Sequence, residues 1–175
     1  MGRVWYFAYG SNMQAATLRG RRGITWSRAI PARLGGWRFV CDKPPLFPSM
    51  AESYANLVPE DGAETYGVLF ELEADDLAHV ELTEGVVIGN YRRIDVLAEP
   101  LGKGASVAAA TLVTDARDPT LAPSERYRAL LVEGAREHGL PADWIAFLEG
   151  LPARPECHEA ALLRPLLDRV MGKPR

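Results

Sequence analysis

Two periodicities divide this chain, and the division constrains its fold more than any other feature. Apolar and polar residues alternate in short runs through the first two thirds, whereas the last third carries apolar residues at helical spacing. Strands followed by helices, rather than strands alternating with helices, belong to the α+β class.

The aromatic run from Val4 to Tyr9 suits a pleated, half-buried strand. Ile24 to Leu34 and Trp37 to Cys41 read as two strands parted by Gly35-Gly36, with Pro31 at a bulge or edge. Tyr54 to Pro59 and Glu64 to Leu72 read as two more, parted by the turn Glu60-Asp61-Gly62, and Gly67 permits a close backbone approach. Tyr91 to Leu97 and Ser106 to Thr114 form a hairpin, which brings the expectation to about six or seven strands. A helix opens at Ala74 with Asp75 and Asp76 in its first turn and gives out at Glu84-Gly85. Further helices start at Pro123-Ser124-Glu125 and at Pro141, the second with Trp144, Ile145, Phe147 and Leu148 turned inward. A short closing helix, Ala160 to Met171, is expected to be interrupted at Pro165. Between the strands, residues 42–53 hold three prolines and read as a loop whose Leu46, Phe47 and Met50 suit a lid or pocket wall.

A length of 175 residues with evenly spread apolar positions is read as one domain, 1–175. The net charge of −3 argues against nucleic acid or an anionic membrane as the partner. No apolar run approaches the roughly 20 residues needed to span a bilayer. The start Met-Gly-Arg lacks a secretory pattern, so a soluble cytoplasmic protein is expected. Cys41 and Cys157 lie far apart and build no disulfide framework, and His79, His138 and His158 are scattered, which leaves no metal-ligand spacing. Ser11 lacks the flanking glycines of a nucleophile elbow, Lys103 lacks the spacing of a phosphate loop, and no dinucleotide fingerprint is present. Neither a metal nor a cofactor is expected.

Two stretches stand out chemically. In Tyr6-Phe7-Ala8-Tyr9-Gly10-Ser11-Asn12-Met13 a strand runs through a tight loop into a helix start, with Gly10 free to take unusual backbone angles and Ser11 and Asn12 suited to capping. Free N–H groups at such a place attract anions. The following Arg19-Gly20-Arg21-Arg22-Gly23 reads as the basic, solvated end of a helix spanning Met13 to Leu18. The second stretch is Glu81-Leu82-Thr83-Glu84-Gly85-Val86. Glu84 stands at the end of the helix dipole that disfavours an acid, a placement tolerated in a proton carrier.

The octet Tyr6–Met13, the Glu84-Gly85 helix end followed by Gly89-Asn90-Tyr91, and the pair Pro123-Ser124-Glu125-Arg126-Tyr127 and Gly134 to Pro141 resemble, in order, motifs of the gamma-glutamylcyclotransferase and AIG2-like superfamily. That resemblance implies a small mixed β-barrel with helices packed around it. It implies a cyclotransferase that converts a γ-glutamyl amino acid, amine or related conjugate to 5-oxoproline and the free amine, without metal or cofactor. By position, Glu84 becomes the catalytic acid/base, and Tyr9, Gly10, Ser11, Asn12, Tyr91 and Tyr127 the substrate-binding residues. The expected partner is a small γ-glutamyl compound, with oligomeric state left open, a homodimer included. The alternative is a non-catalytic small-molecule-binding protein on the same fold, which has no use for an acid poised at a helix end. Ser53-Tyr54 departs from the pattern, since relatives often place glycine before this strand, and its larger side chains are expected to narrow the pocket.

Overall fold

The computed structural model describes residues 2–46 and 51–172. Strands β1 (Arg3–Ala8), β2 (Arg28–Lys43), β3 (Tyr54–Glu73), β4 (Arg92–Pro100) and β5 (Val107–Val113) close into a barrel in the order β1-β3-β2-β4-β5. Neighbouring strands are antiparallel, except that β5 returns to β1 in parallel through the pair Tyr6 and Ala110. The barrel is therefore mixed, and helices α1 (Ala74–Thr83), α2 (Glu125–Glu137), α3 (Ala142–Glu149) and α4 (His158–Met171) surround it. The expected α+β barrel class is the one found.

Five strands stand where six or seven were expected, because two expected turns lie within longer strands. Gly35-Gly36 does not turn the chain back; β2 runs through it, and the register shifts between Gly35 and Trp37. On β3 the residues read as a turn, Glu60-Asp61-Gly62, lie opposite that shift, since Gly35 pairs with Glu64 and Trp37 with Pro59. Gly36 and Gly62 both take positive φ there, so each strand bulges where glycine permits it and then resumes pairing. A local turn signal cannot be told from a bulge until the partner strand is known.

Tyr6, Phe7 and Ala8 are all buried, so β1 is covered on both faces, as a continuous apolar run requires. Phe7, Leu57, Leu69, Phe70 and Leu72 belong to one buried cluster with Leu131 and Ala135 of α2 and Leu148 of α3. The Ser124 hydroxyl caps α2 by accepting from the Tyr127 N–H at 3.2 Å. On α3, Leu148 is buried and Trp144 and Ile145 pack against the core, but Phe147 remains largely exposed and contacts Phe39 and Trp144 edge-on or tilted. Helix α4 continues through Pro165 instead of breaking there. One backbone bond is lost, while Arg21–Asp168 at 2.5 Å and Arg164–Glu156 tie the helix on either side of the proline. Among the described residues no helix is long and apolar enough to cross a membrane.

Candidate active site

The loop after β1 is where local expectation and structure part most usefully. Residues Ser11–Met13 form one 3-10 turn, and Ala16–Arg21 form a π-helical turn, in place of a regular helix over Met13 to Leu18. Gly10 takes the position before the first turn with φ −103° and ψ −154°, an extended conformation open to any residue. Its value is space: a Cβ there would lie 3.4 Å from both Ala55 Cβ and the Tyr127 hydroxyl. Neither Ser11 nor Asn12 caps a helix. Asn12 instead turns toward Glu84.

Glu84 sits just past the last residue of α1, where Gly85 in the left-handed region turns the chain away (φ 73°). Its Oε1 accepts from Asn12 Nδ2 at 3.0 Å and from Arg22 Nη2 at 2.5 Å. Arg22 also donates through Nε to Asn12 Oδ1 at 2.9 Å and through Nη1 to the Thr83 hydroxyl. With 3% exposure, Arg22 is not part of a solvated helix end; it is the buried counter-ion of the carboxylate. Arg19 lies over the Trp26 ring and Arg21 pairs with Asp168, so all three arginines of the basic turn are committed to side-chain partners. Both donors to Glu84 act on Oε1. Among the described residues none is found on Oε2.

A cavity of about 680 Å³ opens over this carboxylate. It is bordered by Tyr9, Gly10, Ser11, Asn12, Glu84, Tyr91 and Tyr127, so every residue singled out in the sequence meets at one place. Five tyrosines line it, and their hydroxyls are tied down. Tyr9 donates to the Leu112 carbonyl, Tyr91 to the Ala55 carbonyl at 2.9 Å and Tyr54 to Glu52 Oε1 at 2.6 Å. Tyr127 accepts from the Ala55 N–H at 3.2 Å, and Tyr6 from Asn12 Nδ2 at 3.1 Å. Burial raises the pKa of all five, so the walls are neutral hydrogen-bonding groups over the ordinary pH range.

Tyr54, at the departure from the family pattern, does enter the cavity, packing edge-on against Tyr127 with ring centroids 5.1 Å apart. Ser53 instead is fully buried and donates to the Cys41 carbonyl. The segment 42–53 begins later than expected, because β2 holds Asp42 and Lys43; Leu46 borders the cavity, whereas residues 47–50, which include Phe47 and Met50, lie outside the described residues. Cys41 and Cys157 are free thiols, and burial pushes Cys41 up to about 12, away from reactivity.

Sequence reasoning did not select Tyr6, Arg22, Lys43, Thr83 or Asn90, all of which border the cavity. Lys43 donates to Asn90 Oδ1 at 2.6 Å and to the Pro44 carbonyl at 2.7 Å, and Asn90 in turn donates to the Glu84 carbonyl at 2.8 Å. One signal was available for Arg22: three arginines in four positions beside a strongly apolar strand cannot all be presumed exposed.

The site is thus a pocket of a closed mixed barrel, with a helix-end carboxylate under the loop after the first strand and within tyrosine walls. The AIG2-like family matches residues 64–148, a span that includes Glu84, Tyr91 and Tyr127. The gamma-glutamyl cyclotransferase aclK of Aspergillus oryzae is 31% identical over 163 residues, covering 82% of this chain and 59% of that protein. The chain thus spans well under two thirds of that relative's length. The gamma-glutamylcyclotransferase of Bos taurus is 28% identical over 144 residues, covering 79% of this chain and 73% of the bovine protein. A solved structure of a gamma-glutamyl cyclotransferase superposes with a TM-score of 0.77 over 96% of this chain and 99% of the other, at 20% identity, a likeness of fold. These sequence likenesses are all to the gamma-glutamylcyclotransferase and AIG2-like superfamily.

Proposed function

We propose that this protein is a cyclotransferase that converts a γ-glutamyl amino acid, amine or related conjugate to 5-oxoproline and the free amine. The observation that carries the reading is the Glu84 carboxylate at the cavity, fixed through Oε1 by Asn12 and Arg22 while Oε2 has no donor among the described residues. The names of the fungal and bovine relatives support it.

The reaction needs one substrate molecule, because attacking nitrogen and target carbonyl belong to the same glutamyl unit. Glu84 takes a proton from the α-ammonium, and the freed amine attacks the γ-carbon to close the five-membered ring. Backbone N–H groups at Gly10 and Ser11, which precede the intrahelical bonds of the 3-10 turn, face the oxyanion. Collapse breaks the bond from the γ-carbon to the leaving nitrogen, Glu84 returns its proton to that nitrogen, and the second proton of the ring nitrogen passes to the departing amine, which leaves as an ammonium. One carboxylate serves both transfers, worth roughly 10² to 10⁴ in rate. No step passes through a metal or cofactor. Tyr9, Tyr91 and Tyr127 shape the wall against which the glutamyl chain curls.

The test is 5-oxoproline release, followed by mass spectrometry, from γ-glutamyl dipeptides, γ-glutamylamines and glutathione. Wild type is expected to release it, and a folded Glu84→Gln variant to be slower by roughly 10² or more. Equal rates would remove Glu84 from the chemistry. Release by neither protein would favour a non-catalytic binding protein on this fold.

A further inference from the structure

Several of the charged side chains around the cavity stand in ion pairs. Arg22 pairs with Glu84, Arg21 with Asp168 and Arg164 with Glu156. Lys43 does not. It is only 3% exposed, yet its two hydrogen-bond partners, Asn90 Oδ1 and the Pro44 carbonyl, are neutral oxygens, and no carboxylate among the described residues lies within ion-pair distance. An ammonium has three N–H donors, so one remains. The rings of Tyr91 and Tyr54 lie 5.1 and 5.8 Å from Nζ, which supports a cation there without neutralising it. A buried cation whose direct partners are neutral dipoles is costly, and the cost is relieved when an anion arrives.

We infer that Lys43 is the seat of the substrate's α-carboxylate. The inference rests on the cyclotransferase reading and deepens it. Asn90 links the two charged groups: it accepts from Lys43 and donates to the backbone carbonyl of Glu84. A substrate that presents its α-ammonium to Glu84 has its α-carboxylate on the same carbon, and Lys43 is the cation joined to that acid through Asn90 without an ion-pair partner of its own among the described residues. Recognition of both groups orients the glutamyl unit so that only its side chain extends toward Gly10 and Tyr127. Derivatives whose α-carboxyl is amidated are therefore poor ligands, whatever amine they carry at the γ-position. Arg126 also borders the cavity without an acidic partner among the described residues, but it clusters with Arg21 and Arg164 on the α4 side.

The experiment compares binding of 5-oxoproline with that of pyrrolidin-2-one, the same ring without its carboxylate, by calorimetry. The proteins are wild type, Lys43→Met, Lys43→Gln and Arg126→Met, each checked for folding. Turnover of a γ-glutamyl dipeptide and of its α-carboxamide is measured in parallel. Wild type is expected to prefer the carboxylate-bearing ligand by roughly 10- to 100-fold. That preference is expected to vanish in both Lys43 variants and to persist in Arg126→Met. Persistence in a folded Lys43 variant, or loss in Arg126→Met alone, overturns the assignment while 5-oxoproline release still upholds the cyclotransferase reading. Failure of wild type both to bind 5-oxoproline and to release it from any compound overturns the two together.

Discussion

Replacing Arg22 by methionine removes the guanidinium that holds Glu84 in place, and the structure sets the size of the effect. Three contacts vanish: Nη2 to Glu84 Oε1 at 2.5 Å, Nε to Asn12 Oδ1 at 2.9 Å, and Nη1 to the Thr83 hydroxyl. Breaking a buried ion pair from one side costs about 3–5 kcal/mol. The Glu84 side chain is 19% exposed and regains some hydration, which puts the expected cost near the lower end, about 3 kcal/mol. For a chain of this length that corresponds to a fall in Tm of roughly 6–12 °C, with the fold retained against a typical stability of about 5–15 kcal/mol. Activity should fall as well, by roughly 10² in kcat, since Asn12 alone no longer fixes the carboxylate. The decisive assay is a double-mutant cycle read by urea unfolding, with Arg22→Met made in wild-type and Glu84→Gln backgrounds. The loss should be smaller in the second background by about 1–3 kcal/mol. Equal losses in both would show that the two side chains are not energetically coupled and would refute the argument.

Gly67→Ala places a Cβ 2.4 Å from the Ala8 carbonyl oxygen and 2.8 Å from Phe7 Cζ, so β1 and β3 must separate; a loss of about 1–3 kcal/mol is expected by thermal unfolding, and an unchanged Tm would contradict that packing. At Gly10, alanine meets Ala55 and Tyr127 at 3.4 Å and should be accepted, whereas the branched methyls of valine crowd the Tyr127 hydroxyl. KM is expected to rise roughly tenfold or more for Gly10→Val alone, and equal KM values in the two variants would remove the steric account. Burial pulls Lys43 down to about 8, against an opposing pull from Glu84. Lys43 is charged below that pH and neutral above it, so carboxylate-dependent binding should be present at pH 7 and fall by roughly tenfold per unit above about pH 8. A flat profile of 5-oxoproline affinity from pH 6.5 to 9.5, on the order of three units, would refute that role.

The parts of this fold that a reader of the sequence can find are those decided by neighbours along the chain. The strand Arg3–Ala8, the hairpin β4–β5, the stop of α1 at Glu84-Gly85 and the Ser124 cap of α2 all depend on residues within a few positions of one another. What escaped depends on distant partners. Gly35-Gly36 and Glu60-Asp61-Gly62 look like two turns until β2 and β3 are set side by side. Arg19, Arg21 and Arg22 look alike in a basic run, yet only Arg22 faces a carboxylate 62 positions away. The site residues came together because family motifs named them, whereas Lys43, which no motif named, is visible only once the barrel brings the end of β2 to Asn90 before β4.

The placement of Glu84 shows how the site meets its own electrostatic cost. A carboxylate one residue beyond a helix opposes the negative end of the dipole, and removing it from water adds desolvation. Arg22 offsets both at once, because Nη1 reaches Thr83 in the last position of α1 and Nη2 reaches Glu84 itself. Asn12 then joins the pair to the loop after β1, accepting from Arg22 and donating to the same Oε1. The consequence is directional. Both donors converge on one oxygen, and among the described residues none reaches the other. A substitution at Asn12 is therefore expected to move the Glu84 carboxylate, which ties a helix-end glutamate to a strand-end Gly-Ser-Asn far from it in the chain.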